Sequence, residues 1–552
     1  MQFSKSTVYQ IYIKSFQDST GNGVGDLNGI RSRLDYLKEL GVDYIWLTPF
    51  FKSPLNDNGY DVADYCTIDL KFGTKEDLKK LISEADKRGI GLMLDMVFNH
   101  TSTEHEWFKK ALAGDPVYQD YYIFKEGKAD AAPTNWESKF GGNAWEYAAE
   151  LKKWYLHLFD VSQADLNWDN PQVRKELKNV IFYWKNMGFK GFRFDVVNLI
   201  SKPEIFCDDL EGDGRRYYTD GHRVHEFLKE LVHDTGIDGM ITVGEMSSTT
   251  IDNCVRYSNA QEHELSMCFN FHHLKVDYKN GDKWQLMAPD LNKLKELLVE
   301  WQLGMQKGNG WNALFWCNHD QPRAVSRFCN DKIYWKQSAT MLATCIYMLR
   351  GTPFVYQGEG IGMTNAGFTD ISHYRDIESL NYYNIMMRNG KSKEETLEIL
   401  SLRSRDNGRL PMQWDGSAQS GFTTGTPWLE ARNNNHWIHV EAQNNQKDSV
   451  LEYYKKLIKL RKQYDIISEG IFEPVEQSFY NVFVYKRILN NQELYVFCNF
   501  GNDVMKTELP VDIENYTTLI SNYDDEKSEK GWLILKPYQA IVLYKKDKKV
   551  IT

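Results

Sequence analysis

The chain has 552 residues, more than one ordinary domain, with 42% apolar and 26% charged residues, the balance of a globular protein with a sizeable core. Its 66 Lys and Arg stand against 76 Asp and Glu, and a net charge of −10 argues against a nucleic-acid or anionic-membrane surface, since both need clustered positive charge. None of the eight cysteines shows CxxC spacing, Met1-Gln2-Phe3-Ser4-Lys5-Ser6 has no apolar signal core, and no long uncharged span follows, so a cytoplasmic protein with buried thiols is expected.

Short apolar runs rich in β-branched and aromatic residues alternate with amphipathic helical patterns, as in a parallel sheet with crossover helices. In chain order the strands are predicted at Val8–Ile13, Tyr44–Thr48, Gly91–Val97, Gly191–Asp195, Ile241–Glu245, Ser266–Phe271, Leu314–Asn318 and Pro353–Gln357. Helices are predicted near Ile30–Leu40, Lys75–Arg88, Pro171–Met187, Arg223–His233, Leu291–Trp301 and Ser338–Leu349. Eight strand signals point to an α/β chain closed as a (β/α)₈ TIM barrel. The stretch between His100 and Pro171 is too long for a normal βα loop and predicts a small irregular subdomain. Beyond about residue 475 strands alternate without helices, at Asn481–Leu489, Glu493–Asn499, Trp532–Lys536 and Gln539–Lys545, which predicts an antiparallel β-domain. The expected division is therefore a barrel over 1–100 and 171–475, an inserted subdomain over 101–170 after the third strand, and a C-terminal domain over 476–552.

Four clusters end predicted strands: Asp95-Met96-Val97-Phe98-Asn99-His100, Gly191-Phe192-Arg193-Phe194-Asp195, Val243-Gly244-Glu245-Met246 and Asn318-His319-Asp320. Polar residues at the C-terminal ends of barrel strands read as catalytic. Period-two alternation puts Arg193 and Asp195 on one face, and a guanidinium beside a carboxylate favours the ionised form that a nucleophile requires. Glu245 follows an apolar strand, and mostly apolar surroundings would keep it protonated as a general acid. A single strand-end Asp reads equally well as a helix cap. Three carboxylates on three strands, with Arg193, His100 and His319 beside them, do not.

These motifs resemble the ordered motifs of the α-amylase family of glycoside hydrolases, and the resemblance runs the length of the chain. It implies a retaining mechanism with Asp195 as nucleophile, Glu245 as general acid/base and Asp320 as the carboxylate that holds the sugar's hydroxyls. It also implies that His100, Arg193 and His319 bind the non-reducing glucose. Asp57-Asn58-Gly59-Tyr60-Asp61 and Ser404-Arg405-Asp406-Asn407 are similar to the exo-acting α-glucosidases, where a pair placed as Asp57 and Arg405 closes the pocket behind one glucose, with Tyr60 beside it. Val196, Lys283 and Glu378 resemble the oligo-1,6-glucosidase and dextran glucosidase subgroup. The loops Glu211–Gly221 and Phe269–Tyr278, with Gly244–Thr249 and Trp311–Trp316, resemble the branch that hydrolyses α,α-trehalose 6-phosphate.

That branch implies a basic cluster for the phosphate, with Arg215, Arg216, Lys275 and His272 as candidates and His273, Lys279 and Lys283 nearby. The expected partner is a small sugar phosphate or, as the alternative, an isomalto-oligosaccharide, handled by a monomer without nucleic acid or membrane. A non-catalytic scaffold would have lost Asp195 or Glu245, and both are present. No cofactor is required for such chemistry. The loop from Asp18 to Asp26 is similar to a calcium loop of related glucosidases, with Asp18, Asn22 and Asp26 as candidate ligands of a structural Ca²⁺. Gly360 and Gly408-Arg409-Leu410 depart from the family's usual Glu and Ala-Arg-Thr, at positions expected near the site rim.

Overall fold

The computed structural model describes residues 3–431, 437–476, 480–509, 515–524, 527–529 and 531–546. Eight parallel strands form one sheet: β1 Val8–Ile11, β2 Tyr44–Leu47, β3 Gly91–Met96, β4 Gly191–Phe194, β5 Ile241–Glu245, β6 Met267–Phe269, β7 Ala313–Leu314 and β8 Thr352–Tyr356. Their order, β6-β5-β4-β3-β2-β1-β8-β7, is that of a rolled sheet, and a parallel bridge between Cys268 and Asn312 closes it. The strands are buried on both faces, which is why they read as nearly continuous apolar runs. β7 is shorter than its predicted range. The chain from Phe315 to Asp320 leaves the ladder there and carries His319 and Asp320 across the barrel mouth.

The helices between strands begin and end on local chemistry. Thr74 and Asp77 form a capping box at the start of Lys75–Lys87, and Asn170 caps Pro171–Met187, which stops at Gly188 in the left-handed region (φ 119°). The predicted helix over Ile30–Leu40 is two, Leu27–Ser32 and Leu34–Leu40, because Arg33 leaves helical geometry (φ −111°, ψ 11°). Sequence periodicity also leaves out a hairpin of helices, Ile377–Arg388 and Lys393–Arg403, although Ser392 and Glu395 form a capping box legible in the chain.

The segment after β3 is more ordered than expected. His100–Ser102 pairs antiparallel with Gln163–Asp165, and Phe124–Glu126, Lys153–Leu156 and Trp145–Ala148 make a three-stranded sheet. Its small core of Trp136, Trp145, Trp154 and Leu156 also takes in Val196, Leu199 and Tyr218 from the loop after β4. Near the C-terminus, Val482–Leu489, Gln492–Asn499 and Ala540–Lys546 lie in an antiparallel sheet with Ile471–Pro474 and Thr517–Ser521. Among the described residues no helix is long and apolar enough to cross a membrane.

Gly214 shows how tightly the subdomain is docked. It adopts φ 92°, and a Cβ there would collide with the Trp136 ring. Glu137 donates its N–H to the Asp213 carbonyl (3.1 Å), and Trp136 stacks on Tyr217 at 5.9 Å. Gly214→Ala is expected to destabilise the protein by about 1–3 kcal/mol, from left-handed strain together with lost packing, read as a lower thermal midpoint. An unchanged midpoint would contradict this docking.

Candidate active site

The site is built where β3, β4 and β5 end. Parallel pairing sets Arg193 opposite Asp95 on one side and Val243 on the other, so the next inward position after Val243 is Glu245. Arg193, 1% exposed, reaches three carboxylates: its Nη1 donates to Asp95 Oδ1 and Asp195 Oδ1, both at 2.7 Å, and its Nη2 contacts Glu245 Oε2. Burial works against the guanidinium's charge, but Asp95 and Asp195 outweigh it and raise its pKa. Trp46 Nε1 and the Tyr60 hydroxyl each donate to Asp95 Oδ2 at 3.0 Å. Asp95 is thus part of the site, which the motif reading passed over; a buried strand-end Asp beside an Arg-bearing strand was its signal. The expectation of mostly apolar surroundings for Glu245 is corrected, because the strand register delivers Arg193 to its carboxyl.

Backbone strain accompanies both strand ends. Val196, directly after Asp195, has φ 35° and ψ 40°, and Ser248, three residues after Glu245, has φ 55°. A β-branched residue in the left-handed region costs about 1–3 kcal/mol, and such strain clusters at functional sites.

A second guanidinium closes the pocket floor. Arg405 meets Asp57 Oδ1 at 3.1 Å, Asp320 Oδ1 at 3.3 Å, Asp376 Oδ1 at 2.6 Å and Glu378 Oε2 at 3.4 Å, with Phe140 of the subdomain over its face at 4.7 Å. Arg409 holds Asp320 Oδ1 at 2.8 Å. Burial alone would raise the Asp320 pKa, but the always-charged Arg405 and Arg409 hold the carboxyl below the usual range and ionised. His319 is packed between Tyr60 (5.1 Å) and Tyr12 (5.9 Å), its Nδ1 lies 2.7 Å from Gln10 Nε2, and burial drives its pKa down to about 3. His100, its pKa also lowered by burial, contacts the Tyr60 carbonyl through Nε2 (3.1 Å). Both imidazoles are neutral at pH 7 and serve as hydrogen-bonding groups. Gln163, another residue the motifs omit, donates to Asp57 Oδ2 at 3.2 Å.

Together Asp57, Tyr60, His100, Asp195, Glu245, Asp320 and Arg405 line a cavity of about 250 Å³. Lys139, Ser247, Ser248, Phe271, Lys275, Tyr278, Lys283 and Glu378 line the same cavity. Lys283 Nζ pairs with Glu378 Oε2 at 2.6 Å.

Several expected groups lie elsewhere. Arg215 is exposed, with its Nε held by Asp213 at 2.9 Å, and Arg216 is exposed, held by Glu211 and Asp209 at 2.7 Å each. Neither lines the cavity, because the acidic residues of their own loop fold the guanidinia back. His272 packs against Trp301 (4.9 Å), burial lowers its pKa to about 4, and His273 bonds the Phe315 carbonyl (2.9 Å). Of the four phosphate candidates, Lys275 lines the cavity, whereas Lys139 was missed because its sequence context shows nothing but a subdomain loop. Gly360 and Leu410 are buried and off the rim: Gly360 lies under Tyr454, beside a buried Glu359 that accepts from the Tyr454 hydroxyl (3.1 Å).

The candidate oxygens of the Asp18–Asp26 loop each hold part of the turn. Asp18 accepts from the N–H groups of Thr20 (2.8 Å), Gly21 (2.9 Å) and Gly23 (2.7 Å), and Asp26 accepts from Ser19 (2.8 Å) and caps a helix at Gly29 (2.7 Å). Asn22 Oδ1 accepts from Val24 N–H at 2.8 Å. Among the described residues no group of three or more His, Cys, Asp or Glu could hold a metal ion.

A closed parallel barrel bearing Arg193-linked carboxylates on adjacent strand ends defines a glycoside hydrolase, and the chain belongs to the alpha-amylase family: the profile "Alpha amylase, catalytic domain" matches residues 10–470. The profile of the alpha-amylase SusG C-terminal domain matches residues 482–542. The trehalose-6-phosphate hydrolase of Bacillus subtilis (strain 168) is 52% identical over 98% of this chain and 97% of its own length. An oligo-1,6-glucosidase of Parageobacillus thermoglucosidasius is 46% identical over 98% of each chain. A crystal structure of a mutant Bacillus licheniformis trehalose-6-phosphate hydrolase in complex with PNG superposes with a TM-score of 0.95 at 52% identity, covering 99% of this chain and 100% of that one.

Arg405→Met strands Asp57 and Asp376 as buried carboxylates short of a partner. A stability loss of about 3–5 kcal/mol is expected, measured by denaturant or thermal unfolding. A variant as stable as the parent would show that the pocket floor does not depend on this guanidinium.

Proposed function

We propose that the chain is a retaining α-glucosidase that hydrolyses α,α-trehalose 6-phosphate to glucose and glucose 6-phosphate. Asp195 attacks C1 of the glucose seated against it, while Glu245 gives its proton to the glycosidic oxygen. Glucose 6-phosphate leaves, and a glucosyl ester on Asp195 remains. Glu245 then takes a proton from water, which attacks C1 and frees glucose, and Asp195 returns as carboxylate. One guanidinium shared by Asp195 and Glu245 supports the short carboxyl separation, ~5–5.5 Å, that double displacement needs. Asp320, ionised and held by Arg409, would accept from the sugar's hydroxyls, with His100 and His319 as neutral hydrogen-bond partners.

The observation that carries the substrate is the pair of lysines that line the cavity. In a protein of net charge −10, Lys275 lines it with no carboxylate within ion-pair distance among the described residues, and Lys283 stands beside it. A phosphate on the leaving sugar would supply the missing anion. The 52% identity to a trehalose-6-phosphate hydrolase supports the same reading. No step needs a cofactor. One chain supplies every group used, which supports a monomer, and eight free cysteines together with a dianionic substrate support a cytoplasmic setting.

Steady-state assays on trehalose 6-phosphate and isomaltose test the reading. A kcat/KM at least ~10²-fold higher for the phosphorylated sugar is expected, as loss of a well-placed charged group costs ~3 kcal/mol. Comparable values on both would instead make the chain an oligo-1,6-glucosidase. Asp195→Asn should lower kcat by about 10⁴-fold or more on either substrate, and full activity in that variant would remove the mechanism.

A further inference from the structure

The inserted subdomain sends one cation into the cavity that the reaction steps leave unused. Lys139 lies on a fixed loop: its own N–H donates to the Leu158 carbonyl at 2.9 Å, and the neighbouring Ser138 Oγ donates to Phe159 at 2.6 Å. Its ammonium donates to Ser247 Oγ at 3.2 Å, two residues past Glu245, and faces the Tyr218 ring at 5.5 Å. Ser247 is itself fixed, its N–H bonded to Asn198 Oδ1 at 2.9 Å.

The charges around Lys139 are unbalanced. Arg215 and Lys275 repel it, while the nearest acids, Asp213 and Asp165, are already engaged, Asp213 by Arg215 at 2.9 Å and Asp165 by Lys202 at 2.8 Å. Among the described residues no carboxylate lies within ion-pair distance of Lys139. Burial first, and then Arg215 and Lys275, bring its pKa down to about 7. An unpaired lysine beside two further cations is unfavourable unless an anion arrives to join them.

We propose that Lys139 is a specificity-determining ligand of the leaving sugar's phosphate, which docks between it and Lys275, and that Lys139 takes up a proton from solvent as the phosphate arrives. The proposal rests on the phosphorylated-substrate reading. An unphosphorylated sugar brings no charge to hold that proton, so the free amine remains a neutral partner of Ser247. A phosphate carrying −1.5 to −2 charges restores the ammonium and gains a charge-assisted hydrogen bond. The subdomain would thereby read the leaving group together with the loop after β6.

Two measurements on K139M, K139R and the parent decide it: kcat/KM on trehalose 6-phosphate and on p-nitrophenyl α-glucoside, and calorimetry of glucose 6-phosphate binding at pH 7.5 in buffers of different protonation enthalpy. K139M is expected to lower the ratio of the two kcat/KM values by ~10–100-fold, mainly through KM for the phosphorylated sugar. K139R should restore most of the ratio. Binding to the parent should take up a measurable fraction of a proton, and both variants should lose that uptake, since neither side chain titrates near neutrality. Equal losses on both substrates, or an unaltered proton uptake in K139M, would overturn the proposal. A strong preference for the phosphorylated sugar that K139M leaves intact would overturn it alone. A parent without any such preference would overturn the substrate reading and this proposal together.

Discussion

One buried guanidinium sets the geometry of this protein. Arg193 sits at the end of β4 with no room to move, and three carboxylates from β3, β4 and β5 converge on it. Three acids at this range would repel one another severely in a low-dielectric interior, and removing the cation would leave buried charges uncompensated. The register of three parallel strands is therefore tied to one side chain. Asp195 and Glu245 cannot separate without giving up their shared partner, and this keeps them within reach of a single glycosidic bond.

Away from that point the electrostatics divide along the cavity. The acids around Arg405 are neutralised internally, with Arg405 and Arg409 spread over Asp57, Asp320 and Asp376. Such a network is spent on itself and offers hydrogen bonds rather than net charge, which suits a neutral sugar ring. Around Lys139 and Lys275 the reverse holds: neither has a carboxylate within ion-pair distance among the described residues, so an arriving anion meets no acid already paired there. Binding energy available at these lysines can be spent on orienting the bond that breaks beside Asp195 and Glu245. Subdomain and barrel contribute to both groups, Phe140 over Arg405 and Lys139 beside Ser247.

Much of this was legible in the chain. The eight strands read as apolar runs because each is buried on both faces, and the strand-end clusters stood out because polar residues interrupt those runs at matching places. Asp57 and Arg405 meet across 348 positions of sequence, and motif resemblance was the means of pairing them. What the sequence could not show was direction. Arg215, Arg216 and His272 looked as basic as Lys275, yet local acids fold the first two back and Trp301 takes the third. Lys139 carried no signal, since a lone lysine among Ser138, Phe140 and Gly141 is indistinguishable from a solvated loop residue until the subdomain closes on the barrel. The Asp18 loop has the composition of a cation site, and its oxygens also accept from its own N–H groups and from Thr423. Gly360 and Leu410 seemed to mark the rim and turned out to be buried.

The central claim is that the Arg193-linked pair, Asp195 and Glu245, acts by double displacement. Proton NMR of trehalose 6-phosphate hydrolysis, recorded faster than mutarotation, reads this from the anomer of the free glucose. Double displacement predicts α-glucose as the first-formed product, appearing together with α-glucose 6-phosphate. First-formed β-glucose would mean that water attacks directly, and the role assigned to Asp195 would be wrong.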